Sequence, residues 1–594
     1  MPSCPVPTRP VPTRPVPTCP AWATRLAVGL VGLLGLVGCT SIPRSGEVTA
    51  VRPVVAPDDR SEVDRGPRNS GVSVRFPPPA PGADPEQVVR GFFNAHADLE
   101  PELLVARQYL APSAVWDARA GATVYGGERS IVVRDGGDSE KRAAVTFTRS
   151  ATISRRGEFE PARDAVPTVL DVGLRIIAGE WRLFDVPDGL VLSENGLERA
   201  VRRSVLYFPD SARRRLVPDP IFLPLGEASP ATAVARAMVA GPSDWLAPVV
   251  RTALPLDTTV TSAIAVLDGV ASVNLSREVQ AVPSDARSAL VAQVVWTLTE
   301  PGLDIDSVRL LVEGRDFVIP GRDTGQPQTR ADWATFDPDP ATGGRLYFLR
   351  SGILHSLDGS DAAAVRAEPR ELRALAVSPS AALVAVVRRN RDGNDSLLVG
   401  ALSGALPTRL IGRRIYSPSW EVGGDRVWVL RDTTTGRELL SVPVTELPGV
   451  FRVQLDAAAG VPESVLLSPE GARVAVVLRR GASREAWVGR VERNRGTVRV
   501  SSLRPVRPGL GGVNSVSWET STRLLIAAGT SVSRVEVDGF DPTAVPVDGL
   551  PARPVLRIVG GPSTDLVAEV DGRIWRRSAG WRTVGPGVSP AYAG

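Results

Sequence analysis

Residues 266–276 read VLDGVASVNLS, in which an Asp-Gly pair separates two apolar runs. Such a pair between apolar residues is a strong signal for a two-residue β-hairpin turn. Beyond the turn, residues 270–275 alternate in polarity, which predicts a strand with one buried face. The polar Asn274 and Ser276 can serve as ligand groups or as turn and capping residues, and the local sequence leaves both roles open.

The segments around this hairpin complete a small α+β unit over residues 199–325. Strands are predicted at 205–208 and 216–218, one helix after Ser229, and a second helix at 286–299. The order of these pieces, with a QVVWTLT run inside the second helix, resembles the GerMN domain of bacterial envelope and sporulation proteins. The resemblance implies that this part of the chain folds as one such domain.

A first α+β domain is expected upstream, over residues 82–198. Asp84 followed by Pro85 predicts a helix N-terminus, and apolar residues at helical spacing as far as residue 110 predict two packed helices. From about residue 124 the apolar period changes to two, which predicts an antiparallel meander. Helices followed by a meander indicate a cone-like fold, in which Trp116 and Trp181 either line the mouth or belong to the core.

Residues 335–594 contain a weak repeat. Runs such as AVSP and LLSPEG each lead into an apolar strand. The copies recur roughly every 40–50 residues, which fits four-stranded propeller blades with Ser-Pro in the turn between two strands. About six blades fit. A strand at 345–349 and the C-terminal strands around Trp575 are expected to close the ring, because an open sheet would leave two exposed edges.

Cysteine and histidine are too scarce for several kinds of chemistry. All three cysteines (Cys4, Cys19 and Cys39) lie in the first 39 residues, so the body of the chain has no thiol for disulfides, zinc or nucleophilic catalysis. The two histidines, His96 and His355, fall in different predicted domains. We therefore expect no metal site, no cofactor and no histidine-dependent catalysis.

The amino terminus has the features of an export signal. Arg25 precedes an apolar run of twelve residues, 26–37, which is too short to cross about 30 Å of hydrocarbon as a helix. The run ends in Leu36-Val37-Gly38-Cys39, which resembles the lipobox of bacterial lipoproteins. The resemblance implies cleavage between Gly38 and Cys39 and transfer of a diacylglycerol to the Cys39 sulfur. A signal peptide that happens to end in cysteine, or a single anchor helix, is the alternative.

Two further assignments follow from this signal. Residues 1–38 form the signal peptide with a repeated PVPTR leader, which is either a long n-region or a misassigned start. Residues 39–81 are rich in proline and mixed charge, and they are predicted to be a lipidated tether.

Several classes of function find no support in the sequence. The chain has 69 Lys plus Arg against 65 Asp plus Glu, and three of the arginines lie in the signal segment, so no basic field for nucleic acid remains. No Gly-rich phosphate loop ending in Lys and no nucleophile elbow is present. Asp392 to Asp395 only faintly resembles a calcium loop and is predicted to be a turn. A propeller that gathers carboxylates for glycoside hydrolysis stays open as the enzyme alternative.

The whole chain is thus predicted to be multidomain, with two α+β domains followed by an all-β propeller. The order of lipobox, cone, GerMN unit and propeller resembles the LpqB lipoproteins of actinobacteria. This resemblance implies a non-enzymatic protein, lipid-anchored on the extracytoplasmic face of the cell membrane, that modulates the sensor kinase of an MtrA/MtrB-type two-component system and affects the envelope and division. It implies the extracytoplasmic domain of an MtrB-like kinase as the partner. A passive envelope scaffold or a peptidoglycan-associated protein is the alternative.

Replacing Cys39 by Ser tests the lipoprotein assignment. We expect the variant to accumulate as unprocessed precursor, because a hydroxyl does not replace the thiol as acceptor of the lipid. Gel mobility and membrane fractionation measure both effects. A Cys39→Ser protein that is processed and retained in the membrane like the parent would contradict the assignment.

Overall fold

The computed structural model describes residues 76–97, 102–136, 139–225, 229–340, 344–357, 372–445, 449–456, 460–494, 496–561 and 565–593. The signal segment 1–38, Cys39 and the predicted tether as far as residue 75 lie outside the described residues. Within the described part, no helix has the length and apolar content needed to cross a membrane.

The first domain packs short helices against one sheet. Its elements are α1 (Pro85–Asn94), α2 (Leu104–Gln108), β1 (Gly121–Asp135), β2 (Glu140–Ser154), β3 (Phe159–Ile177), β4 (Glu180–Asp185), β5 (Leu190–Ser193) and α3 (Glu194–Ala200). The sheet order is β4-β3-β2-β1-β5. The predicted helix start is confirmed, because Asp84 and Gln87 form a reciprocal capping box at the first turn of α1. The predicted meander is also confirmed, with long antiparallel strands.

The second predicted helix is present but shorter than the apolar spacing indicates. Leu103 lies in the left-handed region (φ 51°), and the helix that follows it has five residues. Leu104 is half exposed, and Leu110 instead bridges to Leu183 of β4. The apolar residues of this segment therefore reach the core from a turn and a bridge as well as from a helix, which their spacing alone does not reveal.

His96 belongs to the core of the cone. Its ring stacks on Trp116 with centroids 5.1 Å apart, and its Nδ1 accepts a hydrogen bond from the Val191 amide at 2.9 Å. Burial, and then the charge of Arg129, lower the pKa of His96 to about 3. The imidazole is therefore neutral near pH 7, as an Nδ1 acceptor requires.

The second domain contains the predicted hairpin. Its elements are β6 (Val201–Pro209), β7 (Leu216–Pro224), α4 (Pro230–Ala240), β8 (Ala265–Leu267), β9 (Val270–Leu275), α5 (Arg287–Leu298), β10 (Ser307–Val312) and β11 (Arg315–Asp316). One sheet has the order β11-β10-β9-β8, and β6 and β7 form a separate two-stranded sheet. Asp268 (φ 48°) and Gly269 (φ 74°) both take positive φ, which a tight hairpin turn requires. In β9 each second residue is buried, as the alternation predicts.

Helix α5 is the centre of this domain. Ten of its twelve residues are buried, including the polar Gln293. The Gln293 side chain accepts a hydrogen bond from the Ala253 amide at 2.7 Å and donates one to Thr252 Oγ1 at 3.2 Å. A helix that is apolar all round is expected to be enclosed on all sides, and its buried amide is tolerated because it is bonded.

The third domain is a propeller of six blades. Its strands are β12 (Tyr347–Arg350), β13 (Ile353–Ser356), β14 (Leu372–Val377), β15 (Leu383–Arg389), β16 (Asp395–Ala401), β17 (Thr408–Gly412), β18 (Ile415–Trp420), β19 (Arg426–Asp432), β20 (Arg437–Pro443), β21 (Phe451–Leu455), β22 (Val461–Leu467), β23 (Arg473–Arg480), β24 (Ser483–Asn494), β25 (Thr497–Pro505), β26 (Val513–Thr520), β27 (Arg523–Ala528), β28 (Ser531–Glu536), β29 (Thr543–Val545), β30 (Val555–Gly560), β31 (Leu566–Val570), β32 (Arg573–Arg577), β33 (Trp581–Pro586) and β34 (Val588–Ala591).

Five blades have four consecutive strands each, beginning at β14, β18, β22, β26 and β30. The third joins its neighbour edge to edge, because β21 pairs with β25. The sixth blade consists of β13, β12 and β34, so the last strand of the chain closes the ring against the first. The strand that carries Trp575, β32, lies within the preceding blade. The closing strand is therefore two strands later than the one that carries Trp575.

The Ser-Pro motif does not occupy one structural position in every copy. In the first and third copies Ser378 and Ser468 begin the turn between two strands. In the second copy Ser417 and Pro418 lie inside β18, where the register shifts and Ser417 takes φ 50°. Proline has no amide to donate to a strand ladder, so here it occupies a β-bulge, and Glu421 takes the turn position.

Replacing His96 and His355 together by Gln should leave function intact and lower stability modestly. The stability difference from the parent should also depend on pH. Below pH 6.5 the unfolded parent binds a proton at His96 that the folded parent excludes, so the parent loses stability down to about pH 3. The free energy of unfolding of the parent minus that of the variant should therefore fall by about 2 kcal/mol between pH 7.5 and pH 5. Urea unfolding at both pH values measures this, and an advantage that grows in acid would contradict it.

Candidate functional site

The residues singled out in the hairpin have structural partners. Asn274 Oδ1 accepts a hydrogen bond from the Gly314 amide, and Ser276 Oγ accepts one from the Thr259 amide, both at 2.9 Å. Each side chain therefore fixes a neighbouring loop. Gly38 and Cys39, the predicted cleavage and lipidation site, lie outside the described residues.

The two tryptophans of the cone belong to its packing. Trp116 is buried and its Nε1 donates to the Gly189 carbonyl at 3.1 Å. Trp181 is partly buried, and the Lys141 ammonium lies 5.7 Å from its ring centroid. Of the two roles that the sequence leaves open for these tryptophans, the structure supports packing in the core over lining a mouth.

The acidic segment from Asp392 to Asp395 is a turn between β15 and β16. The Asp392 carboxylate accepts hydrogen bonds from the amide and the side chain of Asn394, at 2.9 and 3.0 Å. Asp395 pairs with Arg389. Among the residues that the structure describes, no group of three or more His, Cys, Asp or Glu side chains is placed to hold a metal ion.

The site that the structure adds is the place where all three domains meet, which we call the domain junction. It consists of the turn between β2 and β3, the middle of β7, and the propeller strands β23 and β25 with the turn that follows β28. A cavity of about 50 Å³ lies between them. Because this volume is several times that of one water-sized probe, the cavity has room for a small group.

Arg473 is the central residue of the junction. Its side chain is 1% exposed, and that of its partner Glu470 is fully buried. The guanidinium donates to Glu470 Oε1 at 2.8 Å, to the Pro218 carbonyl in β7 at 3.2 Å, and to the Ser521 carbonyl of the next blade at 2.7 Å. One buried cation therefore joins two blades to the GerMN-like domain.

Three further ion pairs cross the junction. Glu158 of the cone pairs with Arg504 of the propeller at 2.5 Å. Arg203 of β6 pairs with Asp538 at 3.1 Å, and its other terminus reaches Glu536 at 3.0 Å. These side chains are mostly buried, so salt screens them less than it screens surface pairs.

An aromatic cluster supports the same contact. Phe159, Phe222 and Phe540 come from the three domains in turn, with ring centroids 4.9 to 5.6 Å apart. Edge-to-face rings at this distance add to the free energy gained from burying their area. The junction thus combines apolar contact with charged pairs, and its chemistry is that of a rigid domain interface.

Two carboxyl groups at this interface have pKa values above the usual range. Burial raises the pKa of Asp219 to about 6, although its Oδ2 accepts a hydrogen bond from the Ser243 amide at 2.6 Å. Burial likewise raises the pKa of Asp339 to about 6, and Ser521 donates to it through both its amide and its hydroxyl. Sequence patterns do not mark these residues, because each partner is distant along the chain.

Replacing Arg473 by Met should destabilise the protein by about 3–5 kcal/mol, because Glu470 would remain buried without its cation. The control is Arg479→Met in the same strand, since Arg479 is half exposed and its pair with Glu463 is worth less than about 1 kcal/mol. Denaturant unfolding compares the two variants. Equal effects of Arg473→Met and Arg479→Met would contradict the central role of Arg473, and adding Glu470→Gln to Arg473→Met should restore part of the loss.

Three family models together match most of the described chain. Residues 78–198 match the N-terminal domain of Lipoprotein LpqB, and residues 352–593 match the Lipoprotein LpqB beta-propeller domain. Residues 205–317, between them, match a model described as sporulation and spore germination. The matches follow the order of the three folded domains along the chain.

Similar full-length proteins are found in several actinobacteria. Lipoprotein LpqB of Rhodococcus jostii (strain RHA1) is 29% identical over 91% of this chain and 92% of its own length. Lipoprotein LpqB of Thermobifida fusca (strain YX) is 28% identical over 94% of this chain and 97% of its own. The solved first GerMN domain of the sporulation protein GerM from Bacillus subtilis is 28% identical over 22% of this chain and 99% of its own, with a TM-score of 0.19. On the order, extent and identity of the domain and full-length matches, the chain belongs to the Lipoprotein LpqB family.

Proposed function

We propose that this protein is a lipoprotein anchored through Cys39 on the extracytoplasmic face of the cell membrane. It acts there, without catalysis, as an accessory modulator of the sensor histidine kinase of an MtrA/MtrB-type two-component system. Family membership carries the proposal, because the full-length relatives are named lipoproteins and the sequence before Cys39 resembles a lipobox. The kinase as partner rests on the resemblance to LpqB proteins alone.

Anchoring by itself favours contact with a membrane partner. A flexible tether of about 40 residues would keep the folded body within roughly 35 Å of its lipid, by the square-root scaling of a random chain. Confinement to one surface raises the effective concentration of the two proteins toward each other. A weak interface therefore suffices for occupancy.

A modulator must also distinguish the two states of the kinase. It can shift the equilibrium only by the difference between its affinities for those states. The domain junction supports this requirement, because a body whose domains are joined by buried pairs such as Arg473 and Glu470 presents its surfaces in a fixed arrangement. Such a body cannot adapt equally well to both states.

The distribution of exposed apolar side chains favours the two α+β domains as the contact surface. Of fifteen large apolar residues that are strongly exposed among the described residues, ten lie in residues 76–325. Contiguous exposed apolar surface is a feature of protein-binding sites, and all three residues of β8 are exposed. Leu267, 74% exposed on the edge strand β8, is a prominent example. The ten residues are Leu104, Val115, Val132, Val169, Ile176, Leu225, Leu256, Val266, Leu267 and Val318.

The test compares Leu267→Arg with Ile411→Arg in cells from which the chromosomal gene is deleted. Both residues are exposed on edge strands, β8 of the second domain and β17 of the propeller, so the two substitutions cost similar stability. We expect deletion to change the phosphorylation of the cognate response regulator, and the parent and Ile411→Arg proteins to restore it. Leu267→Arg should fail to do so, because it places a charge in the contact surface.

Two outcomes would contradict parts of the proposal. An unchanged phosphorylation level after complete deletion would remove the signalling role and favour the envelope scaffold. Failure of Ile411→Arg together with success of Leu267→Arg would keep the role but move the contact to the propeller. Membrane fractionation of both variants shows that each is still anchored.

A further inference from the structure

The cavity at the domain junction has mainly apolar walls and three carboxyl groups, of which Asp219 is the one without an ion pair among the described residues. Asp219 is 4% exposed and lies in β7. Apolar cavities with a few convergent polar groups are typical of ligand sites. The cavity is partly open to solvent. Its apolar walls come from all three domains and include Phe159, Pro220, Trp245, Leu246, Val488 and Pro505.

The charges that face the cavity do not balance. Three carboxylates line it, but only two guanidinium groups do. Arg473 is engaged with Glu470, and Arg504 pairs with Glu158.

Asp538, the second carboxylate, is paired with Arg203. Asp219 is left with hydrogen bonds from Ser243 and without an ion pair among the described residues. An ionised carboxylate in such surroundings is costly unless a cation approaches it. At neutral pH the cavity therefore attracts a positive group.

We infer that this cavity binds an alkylammonium group, with the ammonium on Asp219 and the alkyl chain against the apolar walls. A divalent metal fits poorly, because Ca²⁺ takes six to eight oxygen ligands and Asp219 is the single unpaired carboxylate here. An anion is disfavoured by the three acids. The volume admits the end of such a chain and leaves the rest of the molecule outside.

The alkylammonium group can belong to a free amine or to a lysine side chain of a protein partner. Because the walls belong to three domains, either ligand would touch all of them at once. Binding would therefore stabilise the junction itself, in addition to any contact elsewhere on the surface. This inference does not depend on the proposed kinase partner.

The experiment uses the full chain in detergent micelles and isothermal titration with n-butylammonium chloride, with n-butanol as the uncharged probe of similar shape. We expect measurable binding of the ammonium at pH 7 and at least tenfold weaker binding of the alcohol. Asp219→Asn should weaken ammonium binding at least tenfold, while the Asn side chain can still accept the hydrogen bond from Ser243. The control Asp171→Asn removes an exposed carboxylate of β3 and should change the affinity for n-butylammonium less than twofold.

A pH series on the parent protein provides a second test that does not require the variant to fold. Asp219 must be ionised to hold an ammonium, and burial raises its pKa to about 6. Affinity should therefore fall about tenfold between pH 7 and pH 5. Glu158, Asp538, Arg473 and Arg504 face the same cavity in pairs with oppositely charged partners.

A short peptide with one central lysine separates the two sources. Tighter binding of the peptide than of butylammonium, with competition between them, assigns the site to a protein side chain. Binding of butylammonium alone assigns it to a free amine. Equal binding of butanol, unchanged binding by Asp219→Asn, or affinity independent of pH would each overturn the inference.

Discussion

The buried pair of Arg473 and Glu470 is the contact on which the arrangement of the three domains depends. Removing two charges from water is costly, and the mutual attraction offsets that cost only when the remaining donors and acceptors are also bonded. The arginine meets this condition by donating to the carbonyl groups of Pro218 in β7 and of Ser521 in the next blade, whereas Glu470 Oε2 has no hydrogen-bond partner among the described residues. The pair is therefore stable only when the second domain and both blades are in place. This makes the junction cooperative, since no single domain satisfies the arginine alone.

The propeller strands of this junction belong to a closed ring of blades. The last strand, β34, pairs with β12, so the blades cannot open without breaking the ring. The second domain contacts the propeller at the start of β23, where Ala472 packs against the core of that domain and Arg473 donates to the Pro218 carbonyl. The cone then contacts both, through Glu158 and Phe159. The three domains are thus joined to one another through packed and ion-paired side chains.

Local features were predictable from the sequence, whereas the junction was not. The hairpin at Asp268, the cap at Asp84 and the enclosed helix α5 each depend on neighbouring residues, and the structure confirms them. The position of Ser417 and Pro418 in a bulge was missed, because a turn and a bulge accept the same residues. Arg203 and Asp538 are separated by 335 residues along the chain. No periodicity connects such partners, so the sequence alone could not reveal the cavity or the carboxyl group of Asp219.

Acidic conditions affect the cone and the junction in opposite directions. His96 stays neutral in the folded cone, so the unfolded chain gains protons first and the cone loses stability as the pH falls from 6.5 toward 3. Asp219 and Asp339 have raised pKa values in the folded protein, so their contribution is complete below about pH 4 and is lost as the pH rises through 6. Acid therefore removes the cost of burying these two carboxylates in charged form, while it destabilises the cone. Near neutral pH His96 no longer lowers the stability of the cone, and Asp219 is mostly ionised in the cavity, where an ammonium group can pair with it.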